Sequence, residues 1–174
     1  RPIGQNQGIQ HPLAQNWANL EAANLMMLHA ARLWDEAALR FLGVCVPWRD
    51  AHVRTGRRDR EPWEDHRRYL DALHGIARKH LAAPEPLVVL GDLNQRVPRL
   101  RQPPDVYASL QRVMAEGLAC PTADDAGWVH GQIDHVLVGA GIEVLDVKVL
   151  PRVADDGLRL SDHDGLVVEV RIGC

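Results

Sequence analysis

The chain has 174 residues, 46% of them hydrophobic and 25% charged, and a formal net charge of −3. This composition is typical of one folded domain and argues against a protein that coats nucleic acid by bulk charge. No apolar run reaches the roughly 18 residues that cross a bilayer, and the first residues lack the order of a signal peptide. The three cysteines are too widely spaced for a disulfide framework, so we expect a reducing, cytoplasmic location.

The first 38 residues differ in composition from the rest of the chain. They are rich in Gln and Asn, and apolar residues recur at near-helical spacing over residues 17–37. We therefore predict an atypical leader over residues 1–38 that contains one helix. The remaining residues, 39–174, are predicted to form the main domain.

This domain is predicted to begin with a strand, a loop and a helix. The apolar stretch Leu39–Val46 predicts the strand. An arginine-rich loop follows over residues 49–60, and it could either contact phosphate or form an ordinary solvated surface. Pro62 suits a first helical turn, and the apolar spacing after it predicts a helix to about Leu81.

A buried strand, a second helix and three more strands complete the prediction. Leu87–Leu90 has the all-apolar pattern of a strand buried on both faces. A helix is predicted from about Asp105 and a strand over Ile133–Val138. Apolar and polar residues alternate in the last two predicted strands. The apolar face of the first carries Leu145, Val147 and Val149, and that of the second carries Leu166, Val168, Val170 and Ile172. The order predicts a mixed α/β sheet with helices outside.

Three polar segments lie at the ends of predicted strands. They are Gly91-Asp92-Leu93-Asn94, Ile133-Asp134-His135 and Ser161-Asp162-His163. Each alone is a common turn sequence, but strand ends are where α/β proteins gather their functional groups. Their occurrence together, in this order, indicates one site.

In this order the three segments resemble the endonuclease/exonuclease/phosphatase superfamily, which includes deoxyribonucleases, abasic-site endonucleases, neutral sphingomyelinases and inositol-polyphosphate phosphatases. The resemblance covers about Leu39 to Cys174, the later part of such a domain. It implies an α/β fold, a four-layer α-β-β-α sandwich that is N-terminally incomplete here. It also implies hydrolysis of a phosphate ester by in-line attack of activated water.

The resemblance implies a role for five residues. Asp92 would orient or deprotonate the attacking water, and Asn94 would hydrogen-bond a phosphate oxygen or the bound water. Asp162 would help to hold Mg²⁺ or Mn²⁺, since hard cations prefer oxygen ligands. His163 would donate to the phosphoryl oxygen, and Asp134 would orient His163.

The sequence departs from the family near its start. Family members carry an Asn and a metal-binding Glu on early strands, and neither Glu21 nor Glu36 matches that motif. Because the chain also starts without Met, we expect an N-terminally shortened form. The alternative hypothesis is a non-catalytic relative that binds a phosphate-bearing ligand or a partner protein.

Cys45 stands near the position where many family members have a His. We predict a buried structural cysteine there and consider His52 as a replacement acid. Trp48 and Trp63 flank the arginine-rich loop, where anchoring to the core is favoured over stacking on a base.

The expected partner is a phosphate-ester substrate. The sequence leaves DNA, RNA, a phospholipid, an inositol phosphate and a nucleotide open as substrates. Because early strands of the sandwich are not identified, we also expect self-association through uncovered sheet surface.

Overall fold

The computed structural model of the protein describes residues 39–55, 59–124 and 131–173. They all belong to the second of two units into which the chain divides, Leu39–Cys174. The helix predicted over residues 17–37 lies outside the described residues. No helix within the described ranges is long and apolar enough to cross a membrane.

The described part of the chain is mixed α/β, with two helices and two sheets, which confirms the predicted fold class. In chain order the elements are β1 (Arg40–Cys45), α1 (Glu64–Leu81), β2 (Leu87–Asp92), α2 (Pro104–Met114), β3 (Asp134–Val138), β4 (Ile142–Leu150) and β5 (Gly165–Ile172). Each strand and helix was predicted close to its observed position. Strand β2 continues two residues beyond Leu90, so Gly91 and Asp92 belong to the sheet and not to the loop after it.

The first sheet has the strand order β1–β2–β3. β1 and β2 are parallel, and α1 supplies the long crossover that a parallel pair requires. β3 is antiparallel to β2, which makes β2 the central strand. This position explains why Leu87, Val88 and Val89 are all buried, since both faces of β2 are covered.

Both helices pack on one face of this sheet. Their buried residues recur at helical spacing, and they are His66, Leu70, Leu73 and Ala77 in α1 and Val106, Ser109, Leu110 and Val113 in α2. From the sheet, Leu87, Val89 and Leu137 join the same hydrophobic cluster. Alternate residues of the strands therefore form an apolar face of the sheet, and the helices pack on it.

The opposite face of the first sheet contacts the second sheet, which consists of antiparallel β4 and β5. Val88 and Val138 are buried there, with Ile142, Val144 and Ile172 packed against them. The described elements thus stack as helices, first sheet and second sheet. The four-layer sandwich goes beyond these contacts and stays a prediction.

A β-bulge in β4 corrects one predicted face. Val144 pairs with Val170 and Val147 pairs with Val168, so the register shifts between Val144 and Asp146. The extra residue is Leu145, which was wrongly grouped with Val147 and Val149. The bulge reverses the alternation, and both Val144 and Val147 then face the same side.

Several large apolar side chains are exposed in the described part of the chain. The exposed fractions are 51% for Leu150, 61% for Leu158 and 63% for Leu160. Trp48 is 57% exposed, so its predicted anchoring to the core was wrong. The expected self-association through exposed sheet surface stays a prediction.

Candidate active site

The site is built on a pair of aspartates at the end of the first sheet. Asp92 closes β2 and Asp134 opens β3, and the two are direct partners in the antiparallel register. Cross-strand partners point to the same face of a sheet, so the two carboxylates face each other. Gly91, just before Asp92, lets β1 and β2 approach closely, because its φ is 134° and a Cβ there would overlap the Val44 carbonyl oxygen.

Asn94 donates hydrogen bonds to Asp92 and to the backbone just after β1. Its backbone N–H donates to Asp92 Oδ1 at 2.7 Å, and Nδ2 donates to Asp92 Oδ2 at 2.9 Å and to Val46 O at 2.8 Å. Both Nδ2 hydrogens are therefore in use, and only Oδ1 is left, as an acceptor. In this geometry Asn94 fixes Asp92 and suits a bound water better than a phosphate oxygen.

His163 reaches this pair from the loop before β5. Its Nε2 lies 2.9 Å from Asp134 Oδ2. Its Nδ1 lies 2.9 Å from Asp162 Oδ1 but is buried and has no aligned hydrogen bond. Nδ1 is thus the ring nitrogen left to donate to a ligand once the Asp162 carboxylate moves aside.

The loop that carries His163 is held by arginines. The Arg152 N–H donates to Asp164 Oδ1 at 2.7 Å, and Arg152 Nη1 donates to the Asp162 carbonyl at 3.1 Å. Arg159 Nε donates to the carbonyl of Ser161 at 3.0 Å. These contacts fix the loop backbone and leave the Asp162 side chain 79% exposed.

Asp92, Asp134 and His163 each offer one ligand atom, and these atoms all lie within 4.8 Å of one another. The structure does not bring Asp162 into this group, so its role as a metal ligand stays a prediction. Burial raises the pKa of both Asp92 and Asp134. At Asp92 the adjacent Asp134 carboxylate raises the pKa further, against the opposing effects of the Asn94 hydrogen bond and of His163.

A model of the Endonuclease/Exonuclease/phosphatase family matches residues 24–163. The chain belongs to this family. It is similar to a solved structure, the endonuclease/exonuclease/phosphatase from Beutenbergia cavernae DSM 12333, at 22% identity and a TM-score of 0.43. The match covers 63% of this chain and 32% of that one, so our chain spans about a third of that structure's length. No curated protein sequence matches the chain.

Members of the endonuclease/exonuclease/phosphatase family are in general hydrolases of phosphate esters and typically use divalent metals. The family resemblance inferred from the three motifs is thus confirmed. Within the described residues, Asn94 contacts Asp92, and both Asp134 and Asp162 contact His163. Ligand atoms of Asp92, Asp134 and His163 lie within 4.8 Å of one another.

Two residues predicted around the family's proton-donor position lie differently from expectation. Cys45 is exposed, so the prediction of a buried structural cysteine was wrong. It pairs with Asp92 in the register of β1 and β2. His52 is held 2.6 Å from Asp65 on α1 and lies outside the group around Asp92.

A buried polar network beneath the site was missed by the sequence analysis. His66 donates from Nδ1 to Pro47 O at 2.7 Å and accepts at Nε2 from Gln95 Nε2 at 2.7 Å. His135 donates from Nε2 to Gln95 O at 3.0 Å and accepts at Nδ1 from Thr122. Gln95, the residue after Asn94, is therefore bound through its side chain by His66 and through its backbone carbonyl by His135. The available signal was strand alternation, which turns His135 away from the face that carries Asp134.

Acid should weaken the fold through these two histidines. Burial lowers the pKa of both His66 and His135, so the folded state keeps them neutral. The unfolded chain binds protons near pH 6.5 that the folded chain does not, and stability therefore falls as the pH drops below that value. Each histidine should contribute a slope of up to about 1.4 kcal/mol per pH unit.

Urea unfolding of the wild type and of His66→Gln, followed between about pH 7.5 and pH 5.5, measures this contribution. We expect the variant to lose part of the pH slope. His80→Gln, in the last turn of the same helix, is the control and should keep the wild-type slope. Equal slopes in the wild type and in His66→Gln would contradict the assignment.

Proposed function

We propose that this chain carries the catalytic centre of a divalent-cation-dependent phosphoesterase, a nuclease-like hydrolase that cleaves a phosphate ester by attack of water. Nucleic acid is among its candidate substrates. The reducing, cytoplasmic location expected from the sequence is part of this proposal.

One observation carries this proposal: ligand atoms of Asp92, Asp134 and His163 lie within 4.8 Å of one another at a sheet edge. Two half-buried carboxylates that face each other repel, and the raised pKa of each reflects the cost of charging them there. A divalent cation would relieve that cost, so the donor set fits a hard cation such as Mg²⁺ or Mn²⁺.

Asp92 and Asp134 are the residues that would hold the cation, and the predicted ligand Asp162 lies beside them. His163 keeps its ring nitrogens for hydrogen bonds. When bound, a divalent cation would act as a Lewis acid toward a phosphoryl oxygen. The remaining chemistry belongs to the side chains. Asn94 fixes the orientation of Asp92 toward a bound water, whose proton a carboxylate can take.

His163 is proposed to stabilise the charge that develops on phosphate. Asp134 holds Nε2, which fixes the plane of the ring. Nδ1 is then the donor available to a phosphoryl oxygen, provided that the exposed Asp162 carboxylate turns away. The arginine contacts to the loop backbone keep His163 in position during that movement.

The test is hydrolysis of bis(p-nitrophenyl) phosphate by the full chain with Mg²⁺ or Mn²⁺ and then with chelator. We expect turnover that depends on the cation and falls by about 10³-fold in Asp92→Asn. The matched control is Asp71→Asn, which removes an exposed carboxylate on α1 that pairs with Arg112. This control should retain wild-type turnover.

Thermal unfolding with and without the cation gives a second readout, since a ligand that binds only the folded state raises Tm. We expect Mn²⁺ to raise Tm in the wild type and not in Asp92→Asn. Cation binding without any turnover would favour the alternative hypothesis of a non-catalytic phosphate-binding relative. If the chain shows no cation binding and no turnover, the proposed catalytic centre is contradicted.

A further inference from the structure

A cavity of about 670 Å³ lies next to the candidate active site and shares Asn94 with it. Its size is within the usual range for small-molecule sites. It is lined on one side by Pro62 and Trp63, just before α1, and on the other by residues of the loop from Asn94 to Pro103. None of Asp92, Asp134 and His163 lines it, so the cavity is a separate compartment beside the proposed reaction centre.

The cavity is basic although the chain has a net charge of −3. Its described lining includes the three arginines Arg49, Arg96 and Arg101 and no carboxylate. Arg49 is only loosely paired, with Nε 3.5 Å from Asp50 Oδ1 and a side chain that is 61% exposed. Among the described residues, no carboxylate forms an ion pair with Arg96 or Arg101.

The backbone around the cavity is held in conformations that side chains disfavour. Trp63 and Asn94 both line the cavity, and their φ values are 70° and 48°. For a bulky residue such as Trp63, a left-handed conformation costs about 1–2 kcal/mol. Strain of this kind persists where surrounding structure enforces it and is concentrated at binding sites.

The contacts of Asn94 imply that other residues must donate hydrogen bonds to phosphate. Both Nδ2 hydrogens of Asn94 are used within the protein, so this amide has no donor left for phosphate. Arginine guanidinium groups are the side chains best suited to phosphate oxygens because they present paired N–H donors. Three arginines line the cavity that Asn94 also lines.

We propose that this cavity binds a second phosphate group of the substrate, next to the phosphate that is hydrolysed. Arg96 and Arg101 are its principal ligands, with Arg49 at the rim and Trp63 as the wall. The inference rests on the proposed function for the identity of the reacting phosphate. It adds a substrate class: compounds with at least two phosphate groups, either a nucleic acid strand or a small polyphosphorylated molecule.

Calorimetric titration of the full chain in chelator tests binding without any need for turnover. The probes are inorganic phosphate, pyrophosphate and a short thymidine oligonucleotide. We expect the double variant Arg96→Gln/Arg101→Gln to bind at least one of the two larger probes about tenfold more weakly or worse. For the oligonucleotide, the slope of log Kd against log salt concentration should decrease by about one for each lost phosphate contact.

Arg171→Gln is the matched control, because it removes an exposed arginine on β5 that pairs with Glu143, outside the cavity. Circular dichroism and Tm verify that the variants fold. Weaker binding of pyrophosphate in the double variant supports the proposal and indicates a polyphosphorylated small molecule; weaker binding of the oligonucleotide alone supports it and indicates a strand. Unchanged binding of both, or an equal loss in Arg171→Gln, would overturn it whatever the hydrolysis assay gives.

Discussion

Replacing His163 by alanine should lower kcat/KM for a phosphodiester by about 10³-fold, whereas replacing Asp162 by alanine should cost about tenfold or less. His163 lies with Asp92 and Asp134 in the three-residue group and offers a buried donor, Nδ1. Asp162 is 79% exposed, and water can replace its carboxylate. The two adjacent residues should therefore differ in effect by about a hundredfold.

The measurement is cation-dependent hydrolysis by both variants across a range of Mn²⁺ concentrations. If Asp162 is the cation ligand that the sequence analysis predicted, its variant should need much more Mn²⁺ for half-maximal rate. A loss in Asp162→Ala as large as that in His163→Ala would favour that prediction over the grouping seen in the structure. Near-normal turnover in His163→Ala would contradict the proposed function itself.

Gly91→Ala should destabilise the fold by about 3–5 kcal/mol, a large fraction of the stability of a typical domain. Two causes act together. The φ of 134° is one that side chains rarely adopt, and the added Cβ would overlap the Val44 carbonyl oxygen of the neighbouring strand. Strands β1 and β2 cannot separate without breaking the sheet that positions Asp92.

Gly75→Ala is the matched control for this substitution. Gly75 is exposed within α1, and no atom lies within 4 Å of where its Cβ would be. Alanine is favoured over glycine in a helix interior, so this variant should gain about 0.5–1 kcal/mol. Urea unfolding measures both. A Gly91→Ala protein within about 1 kcal/mol of wild type would show that the sheet edge adapts easily.

The local sequence was sufficient to predict the elements of the described domain. Apolar alternation predicted the strands, helical spacing predicted α1 and α2, and both signals depend on neighbours within a few residues. The family was also recognised from sequence, because the three motifs in their order resemble those of its members. The contact between Asp92 and Asp134 follows once β2 and β3 are paired antiparallel.

What the sequence did not predict depends on contacts between distant residues. Cys45 and Trp48 are exposed, and the exposure of a side chain depends on which distant elements pack against it. The bulge at Leu145 depends on the register with β5. The residues next to these features in the sequence show no pattern that predicts the exposure or the bulge.

The sequence by itself determined which residue types stand at the site: two aspartates, an asparagine and a histidine at the ends of strands. Only the tertiary structure decided what each can do. Asn94 has no spare donor because Val46, 48 positions earlier, accepts one of its hydrogens. The basic cavity combines Arg49 with Arg96 and Arg101 across two loops. Hydrogen bonding and charge at a site depend on every group within a few ångströms, and chain folding alone brings those groups together.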